Sequence, residues 1–495
     1  MPLTLTLVSA GSMALEIVAG RALAPYVGMS LYTWTVIIAV VLAGLSLGHW
    51  WGGRLADRTA RPARMVAAIL LGASIVTLIS LALMRLLAPW AAGFDPVGHA
   101  GALALSAFFL PSLMAGAVSP LLTVMALDAA PAERRGGVLG LMFALGAGGA
   151  IIGTLLAGLV LISWLGTALS VAGIAGLYAV LSVPFLGGAR RSAGVLLAAV
   201  AVVAGGTGAF GLATACRIES AYYCIRVDDI LSNDRPARVL ALDHLGHGVN
   251  DARDPELLHV TYVHGVDEMV ARRLDTDAPH AFFIGGGAYT LPRAWAARWP
   301  DGHYVVAEID VEVTAAARDL LWLDAGIETV HADARRALRD LPPETRFDVI
   351  FGDAFHDISV PPHLVTDEFH AQIRARLAPG GVYAINVIDA LRAPAFTLSL
   401  VATLERRFPH VELWIDLAEI GPDEKRTTWI VLASDRPSGA GEIRARRGLP
   451  RIWVQVPASR LASTLPEGAI ITLTDDYTPV DRLLGDVLLS AGIAG

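Results

Sequence analysis

Long runs of apolar residues dominate the first 213 positions of the chain, and shorter mixed patterns follow them. Because about 20 apolar residues in helical form cross a lipid bilayer, each long run predicts one membrane-spanning helix. Seven runs are long enough, at 3–25, 31–53, 65–88, 101–127, 138–163, 167–187 and 193–213. We therefore predict an α-helical transmembrane domain of about seven spans over residues 1–213.

After residue 213 the pattern changes to short apolar runs separated by turn residues. The runs 223–227 and 239–242 predict strands on either side of a polar turn, and place a small β subdomain at 214–255. Between 256 and 495, strands and helices alternate, which predicts a doubly wound, Rossmann-like parallel sheet. The predicted strands are 281–285, 303–309, 327–331, 347–352, 381–387, 411–416 and 427–433. A turn joins the last two, so they predict an antiparallel edge, which is typical of the fold of adenosylmethionine-dependent methyltransferases.

Composition agrees with a membrane part joined to a soluble part. Hydrophobic residues make up 54% of the chain and charged residues only 17%, against about 25% charged in soluble domains. The net charge of −8 argues against a nucleic-acid partner, which would require a basic face. The acidic balance is compatible with a small cationic substrate. The partners that we expect are therefore the lipid bilayer and a small cationic molecule.

Basic residues follow every second predicted span, which predicts an orientation in a bacterial inner membrane. They are Arg54, Arg58, Arg61, Arg64, Arg134, Arg135, Arg190 and Arg191. Because basic loops stay on the cytoplasmic side, the N-terminus is expected in the cytoplasm. Seven spans would then leave the soluble domain outside. The chain's two cysteines, Cys216 and Cys224, favour this placement if they form a disulfide, although two buried free thiols are an equal reading.

A glycine turn follows the first predicted strand of the alternating region. Gly285, Gly286 and Gly287 stand between this strand and a helix, where glycines let the backbone approach a ligand closely. The third glycine of the dinucleotide fingerprint would fall at Thr290, so an intact NAD motif is absent. The turn therefore predicts a nucleoside-binding loop of another kind.

Acidic residues end the next three parallel strands. Glu308 and Asp310 follow the second strand, Asp333 and Ala334 follow the third, and Asp353 follows the fourth. Ligands of such sheets bind at the carboxyl ends of the strands, where acids can accept hydrogen bonds from ribose hydroxyls or an adenine amine. For any single acid, capping of the next helix is an equal explanation.

These motifs resemble the spermidine synthases, the polyamine aminopropyltransferases, over roughly 219–390. The matching segments are 219–223, 238–243, 284–287, 307–310, 347–353 and 366–370. The whole chain resembles a membrane-fused branch of that family, in which a helical bundle precedes the synthase-like domain. Segment 474–480, which reads Thr-Asp-Asp-Tyr-Thr-Pro-Val, resembles a tail motif of that branch.

The resemblance implies transfer of an aminopropyl group from decarboxylated S-adenosylmethionine to a polyamine or related amine, with no metal. The glycine loop would hold the cofactor, Glu308 its ribose and Asp333 its adenine, while Asp353 would be the catalytic carboxylate beside the amine. The amine pocket would comprise Tyr222, Tyr262, His356 and Asp357. A homodimer is also expected.

The sequence departs from the family in the amine half of the site. Ala288 stands where the family has an Asp, and His356 replaces a second Asp, with Asp357 one step late. The family's Tyr-His-Glu segment is matched only by His259, so Tyr262 is the expected substitute. Two alternatives therefore stay open: a methyltransferase that uses S-adenosylmethionine, and a transporter or sensor that binds a nucleoside or polyamine without turnover.

Overall fold

The computed structural model divides the chain into two units. The first ends at Cys224, and the second begins at Ile225. The structure describes residues 1–187, 193–195, 198, 215–323, 326–355, 358–421 and 426–490. Each unit is described by itself.

The first unit is a bundle of helices. They are α1 (Pro2–Val27), α2 (Leu31–Arg58), α3 (Pro62–Ala91), α4 (Pro96–Ala104), α5 (Leu110–Asp128), α6 (Arg135–Leu156) and α7 (Gly166–Leu186). A π-helical turn, Leu105–Phe109, joins α4 to α5, and a second, Ala157–Leu165, extends α6. A two-residue strand, β1 (Ile218–Glu219), follows the bundle.

Five helical stretches among the described residues are long and apolar enough to cross a membrane. The last of them, Ala132–Leu186, has 55 residues and contains two of the predicted runs. Gly166 divides these two runs, since its φ of +70° ends one helix and begins the next. The predicted run 193–213 lies outside the described residues, apart from 193–195 and 198. The predicted count of seven spans is therefore not confirmed.

Glycines allow close approach of neighbouring helices in the bundle. On α2, a side chain at Gly44 would lie 2.7 Å from the carbonyl oxygen of Phe109, and Gly48 and Gly52 are equally close to the backbone of α5. Gly149 and Gly153 of α6 approach the backbone of α1 in the same way. Small residues four positions apart are the usual means by which membrane helices pack closely.

The outer surface of the bundle is strongly apolar. Leu86 is 76% exposed, Phe143 is 72% exposed and Trp164 is 81% exposed. Exposed apolar surface of this extent is unusual for a protein in water and marks a surface that contacts lipid or another protein.

A disulfide-closed loop packs against one end of the bundle. Cys216 and Cys224 are bonded, with Cα atoms 5.1 Å apart. Arg21, near the end of α1, donates to the carbonyl oxygens of Tyr222 and Ser220 at 2.6 and 3.0 Å. Glu219 accepts a hydrogen bond of 2.5 Å from the backbone N–H of Thr167, at the start of α7. The loop thus lies at the end of the bundle where α1 finishes and α7 begins.

The second unit begins with an antiparallel meander. Its strands are β2 (Cys224–Ser232), β3 (Arg235–Leu242) and β4 (Leu245–Asp251). The first turn has two residues, Asn233 and Asp234, both with positive φ, as a tight hairpin requires. The meander agrees with the small β subdomain that the sequence predicts.

A nine-stranded mixed sheet forms the core of the second unit. Its nine strands are β5 (His280–Ile284), β6 (His303–Ala307), β7 (Glu328–Val330), β8 (Phe347–Gly352), β9 (Leu377–Ala390), β10 (His410–Asp416), β11 (Arg426–Ser434), β12 (Glu442–Arg444) and β13 (Ile452–Gln455). After His280, strand β5 is apolar and both of its faces are covered: Phe282 packs against Phe347, and Phe283 against Trp295.

The helices of the second unit connect and cover these strands. They are α8 (Thr261–Ala271), α9 (Thr290–Arg298), α10 (Val311–Leu320), α11 (Ala334–Asp340), α12 (Asp367–Arg376), α13 (Ala395–Leu404), α14 (Ala458–Ala462), α15 (Val480–Leu483) and α16 (Gly485–Ser490). The sequence predicts helices at 289–299, 311–324, 334–341, 366–377 and 394–407. Helices α9 to α13 match these limits within three residues, except that α10 ends four residues earlier than predicted.

The strand order of the sheet is β12-β13-β10-β11-β9-β8-β5-β6-β7. Strands β5 to β9 are parallel, and β11 and β10 add an antiparallel edge. This confirms the predicted doubly wound sheet and its antiparallel ending. The chain order reverses between β5 and β8, and in open α/β sheets ligands bind at this switch point.

Candidate functional site

The candidate site opens where β5 and β8 end side by side. Gly285 has a φ of +92°, and a side chain there would lie 2.6 Å from the carbonyl oxygen of Asp353. The backbone N–H of Asp353 donates a hydrogen bond of 2.9 Å to the carbonyl oxygen of Ile284. Only glycine permits both this backbone conformation and this approach. The glycine loop and the predicted catalytic acid are therefore neighbours.

Two neutral side chains hold the Asp353 carboxyl group. The hydroxyl of Tyr262, from α8, donates to Oδ2 at 3.1 Å, and Nδ2 of Asn386, from β9, donates to Oδ1 at 2.8 Å. Burial raises the pKa of Asp353 to about 6, although both hydrogen bonds favour its ionised form. The group can therefore both carry a charge and exchange a proton near neutral pH.

Asn386 is a site residue that the sequence analysis did not identify. It is 2% exposed and its Oδ1 has no hydrogen-bond partner among the residues that the structure describes. A buried acceptor without a partner costs free energy unless a ligand or water satisfies it. The signal in the sequence is a single polar residue in the apolar run 382–388. A single polar residue in a buried apolar strand indicates a candidate ligand-binding group.

Glu308 accepts hydrogen bonds from the glycine loop. Its Oε2 lies 2.8 Å from the N–H of Gly286 and 3.2 Å from that of Gly287, and its Oε1 accepts from the N–H of Asp310 at 2.9 Å. Burial raises the pKa of Glu308, and the three N–H donors oppose this shift. The carboxylate thus ties the end of β6 to the loop after β5.

Two further predicted acids cap helices. Asp310 is buried and accepts from the N–H of Glu312 at 3.0 Å, which caps α10. Asp333 accepts from the N–H of Arg336 at 3.0 Å and caps α11, of which Ala334 is the first residue. The other oxygen of Asp333 lies 2.6 Å from Nε2 of His363. The capping role that the sequence left open is therefore real for both, and Asp333 keeps lone pairs for a ligand.

The remaining predicted residues have different outcomes. Tyr222 is in the first unit and is 45% exposed. His356 and Asp357 lie outside the described residues, and their predicted roles stay predictions. Ala288 is buried, and because it is an alanine it brings no charge to the glycine loop. His259 does not face Asp353: its Nε2 lies 3.2 Å from Asp251, within the interior of the subdomain.

No cluster of His, Cys, Asp and Glu side chains suited to a metal ion occurs in the part of the chain that the structure describes.

Comparison with known proteins finds similarity to polyamine aminopropyltransferases over part of the chain. No family model matches the chain. It is 30% identical over 119 residues to a probable polyamine aminopropyl transferase of Bifidobacterium longum (strain NCC 2705), which is 24% of this chain and 26% of that protein. It is 33% identical over 151 residues to a polyamine aminopropyltransferase of Synechococcus sp. (strain JA-2-3B'a(2-13)), which is 28% of this chain and 47% of that protein.

The chain spans less than half the length of these curated relatives. Among solved structures, a probable spermidine synthase from Corynebacterium glutamicum ATCC 13032 aligns with 52% of this chain and 95% of its own, at 20% identity and a TM-score of 0.44. In sequence the chain is similar to polyamine aminopropyltransferases over part of its length, and it carries in addition an N-terminal region of apolar helices.

Proposed function

We propose that this protein is a membrane-bound aminopropyltransferase-like enzyme. It transfers the aminopropyl group of decarboxylated S-adenosylmethionine to a polyamine or related amine. The observation that carries the proposal is the arrangement of Asp353, Tyr262 and Asn386 beside the glycine loop at the switch point of the sheet.

The loop side of the site fits a nucleoside. Side chains at Gly285 and Gly286 would collide with Asp353 and Tyr289 at 2.6 Å, so glycines let this loop pack closely beside the end of β8. Glu308, at the end of β6, has the position and charge to accept hydrogen bonds from two ribose hydroxyls. Asp333, at the end of β7, has acceptor capacity for the amine of the adenine.

The Asp353 side of the site fits an amine. A free alkyl amine has a pKa of about 10 and is a cation at neutral pH. Ionised Asp353 attracts this cation, while the unpartnered Oδ1 of Asn386 accepts a second N–H. Tyr262 and Asn386 fix the carboxylate from two sides, so its position is set before the amine arrives.

The reaction is a substitution at carbon. The amine loses a proton to Asp353, and its lone pair then attacks the aminopropyl carbon attached to the sulfonium sulfur. The new C–N bond forms as the C–S bond breaks, and the electron pair of that bond stays on sulfur. The products are the aminopropylated amine and methylthioadenosine, and the proton on Asp353 passes to solvent.

Activity should depend on one ionisation of Asp353. Since its pKa is about 6 and the carboxylate is the active form, we expect kcat/KM to fall about tenfold per pH unit below that value. Bound cations favour the ionised form, so the midpoint of the kcat profile should lie at lower pH than that of kcat/KM. Rate measurements from pH 4.5 to 8.5 check this, and a kcat/KM that stays constant down to pH 4.5 would contradict it.

A second candidate is a methyltransferase that uses S-adenosylmethionine itself. Ala288 favours it, because no carboxylate follows the glycine loop to attract the aminopropyl cation and repel a carboxylated cofactor. Calorimetric titration of the purified protein with both cofactors distinguishes the candidates. Tighter binding of the decarboxylated form supports aminopropyl transfer, and tighter binding of S-adenosylmethionine supports methyl transfer.

We propose further that the bundle lies in a bilayer with its N-terminus in the cytoplasm and the second unit outside. The bundle's exposed apolar surface and close glycine contacts support membrane insertion. The loops after α2 and after α5 carry arginines, and by the positive-inside rule they face the cytoplasm. The disulfide loop packs at the other end, beside the end of α1 and the start of α7.

The disulfide provides the test of this placement. In intact cells, Cys224→Ser frees the thiol of Cys216, the less buried of the two cysteines, and we expect a membrane-impermeant maleimide to label it without lysis, while the unreduced parent protein stays unlabelled. Disulfides persist only in oxidising compartments, so the parent should react only after treatment with a reductant. Labelling of the variant that requires lysis would place the loop in the cytoplasm.

A further inference from the structure

The tail motif at 474–480 has no role in the proposed chemistry, yet the structure holds it firmly. The N–H of Leu473 donates to Thr403 Oγ1 of α13 at 2.9 Å, and its carbonyl accepts from the N–H of Asp367 at 2.8 Å. Thr474 and Tyr477 exchange two backbone hydrogen bonds of 3.1 Å and form a turn. The turn presents Asp475 to α11 and to the start of α12.

Asp475 makes the strongest contact of this turn. Its two oxygens accept from Nη1 and Nη2 of Arg335, each at 2.7 Å, in a bidentate pair. Its Oδ1 also accepts from Thr366 Oγ1 at 2.7 Å, and Glu368 accepts from its N–H at 3.0 Å. The hydrogen bond from the Arg335 guanidinium is the largest cause that lowers the pKa of Asp475. The pair is therefore ionised at neutral pH.

Arg335 connects this contact to the acid at the end of β7. It is the second residue of α11, whose capping residue is Asp333. Its Nη1 also donates to the carbonyl oxygen of His363 at 3.3 Å, and Nε2 of the same His363 contacts Asp333 at 2.6 Å. Asp475 therefore holds Arg335, Arg335 holds the backbone of His363, and the imidazole of His363 contacts Asp333.

We propose that Asp475 is a positioning residue for nucleobase recognition. Through Arg335 and His363 it holds the carboxylate of Asp333 in the direction that accepts the exocyclic amine of adenine. This inference rests on the proposed function, since it deepens the nucleoside site assigned there. It predicts a specific defect: without Asp475 the site loses its preference for adenine rather than its capacity to fold.

The test compares two ligands that differ only at the base. Methylthioadenosine offers an amine to Asp333, whereas methylthioinosine has a carbonyl oxygen in its place. Calorimetric titration of the full-length protein in detergent gives the ratio of their affinities. We expect Asp475→Asn to lower the adenine preference about tenfold, the order expected when a charge-assisted hydrogen bond is lost.

Asp476→Asn is the matched control, because Asp476 is the adjacent, exposed acid of the same turn. It should keep the adenine preference of the parent protein. An unchanged ratio in Asp475→Asn, or an equal loss for both ligands with a lower Tm, overturns the inference and leaves Asp475 only a structural tie. If the parent protein binds neither nucleoside, the proposed function fails, and the inference fails with it.

Discussion

Asp353→Asn should reduce turnover about a thousandfold, within the range that general-base catalysis contributes. The amide keeps the size of the carboxyl group and can still bond Tyr262 or Asn386, so the fold and the nucleoside site remain. It can neither hold an ammonium ion nor accept its proton. Methylthioadenosine release at saturating cofactor measures the effect. Asp340→Asn, at an exposed ion pair on α11, is the control and should leave the rate unchanged.

The same substitution should stabilise the protein at high pH. The pKa of Asp353 is about 6 in the folded state and about 3.9 in an unfolded chain. A raised pKa means that ionisation opposes folding, so the stability of the parent protein falls as the pH rises from about 4 to about 6. Allowing for the partial exposure of Asp353, we expect Asp353→Asn to gain about 1 to 2 kcal/mol at pH 8 relative to its effect at pH 4. Unfolding curves of the parent protein and the variant at both pH values check this. The prediction is contradicted if the effect of the substitution on the free energy of unfolding is no more favourable at pH 8 than at pH 4.

Glu308→Gln should weaken cofactor binding about a hundredfold, because two hydrogen bonds from ribose to a charged acceptor become weaker or are lost. A second cause adds to this. The amide NH2 of glutamine must face a backbone N–H, either at Gly286 and Gly287 or at Asp310, so the glycine loop loses part of its support. Calorimetry with the cofactor measures the change.

Glu312→Gln is the matched control for that experiment. Glu312 is an exposed acid in the first turn of α10, four positions further along the chain. It should bind the cofactor as the parent protein does. If Glu308→Gln and Glu312→Gln bind the cofactor with equal affinity, Glu308 does not contribute to the cofactor site.

Much of this site follows from periodicity in the sequence. Glu308, Asp333 and Asp353 each stand just after a short apolar strand, and a parallel sheet brings such positions to one edge. The glycine loop was predictable for the same reason. Local pattern also predicted the helices α9 to α13, since each lies between two predicted strands.

The partners of these acids were harder to predict, because they come from distant parts of the chain. Tyr262 reaches Asp353 across 91 positions, and Asn386 across 33. Only the family resemblance indicated Tyr262, and nothing indicated Asn386. Asp475 lies 140 positions from Arg335, so no local pattern could relate its motif to α11. The division between α6 and α7 falls at Gly166, between the two runs predicted at 138–163 and 167–187.

The membrane placement and the proposed chemistry have a joint consequence. If the second unit lies outside the cytoplasm, its nucleoside cofactor must reach that side of the membrane. The labelling experiment and the cofactor titration are therefore independent, because one reports the compartment and the other reports the site.

Product analysis tests the central claim most directly. The purified full-length protein is incubated with decarboxylated S-adenosylmethionine and a panel of diamines, and separately with S-adenosylmethionine and the same amines. We predict that the first mixture yields methylthioadenosine together with an amine that has gained an aminopropyl group, and that Asp353→Asn yields neither. Formation of S-adenosylhomocysteine and a methylated amine in the second mixture alone, or no product in either, would contradict the proposed aminopropyl transfer.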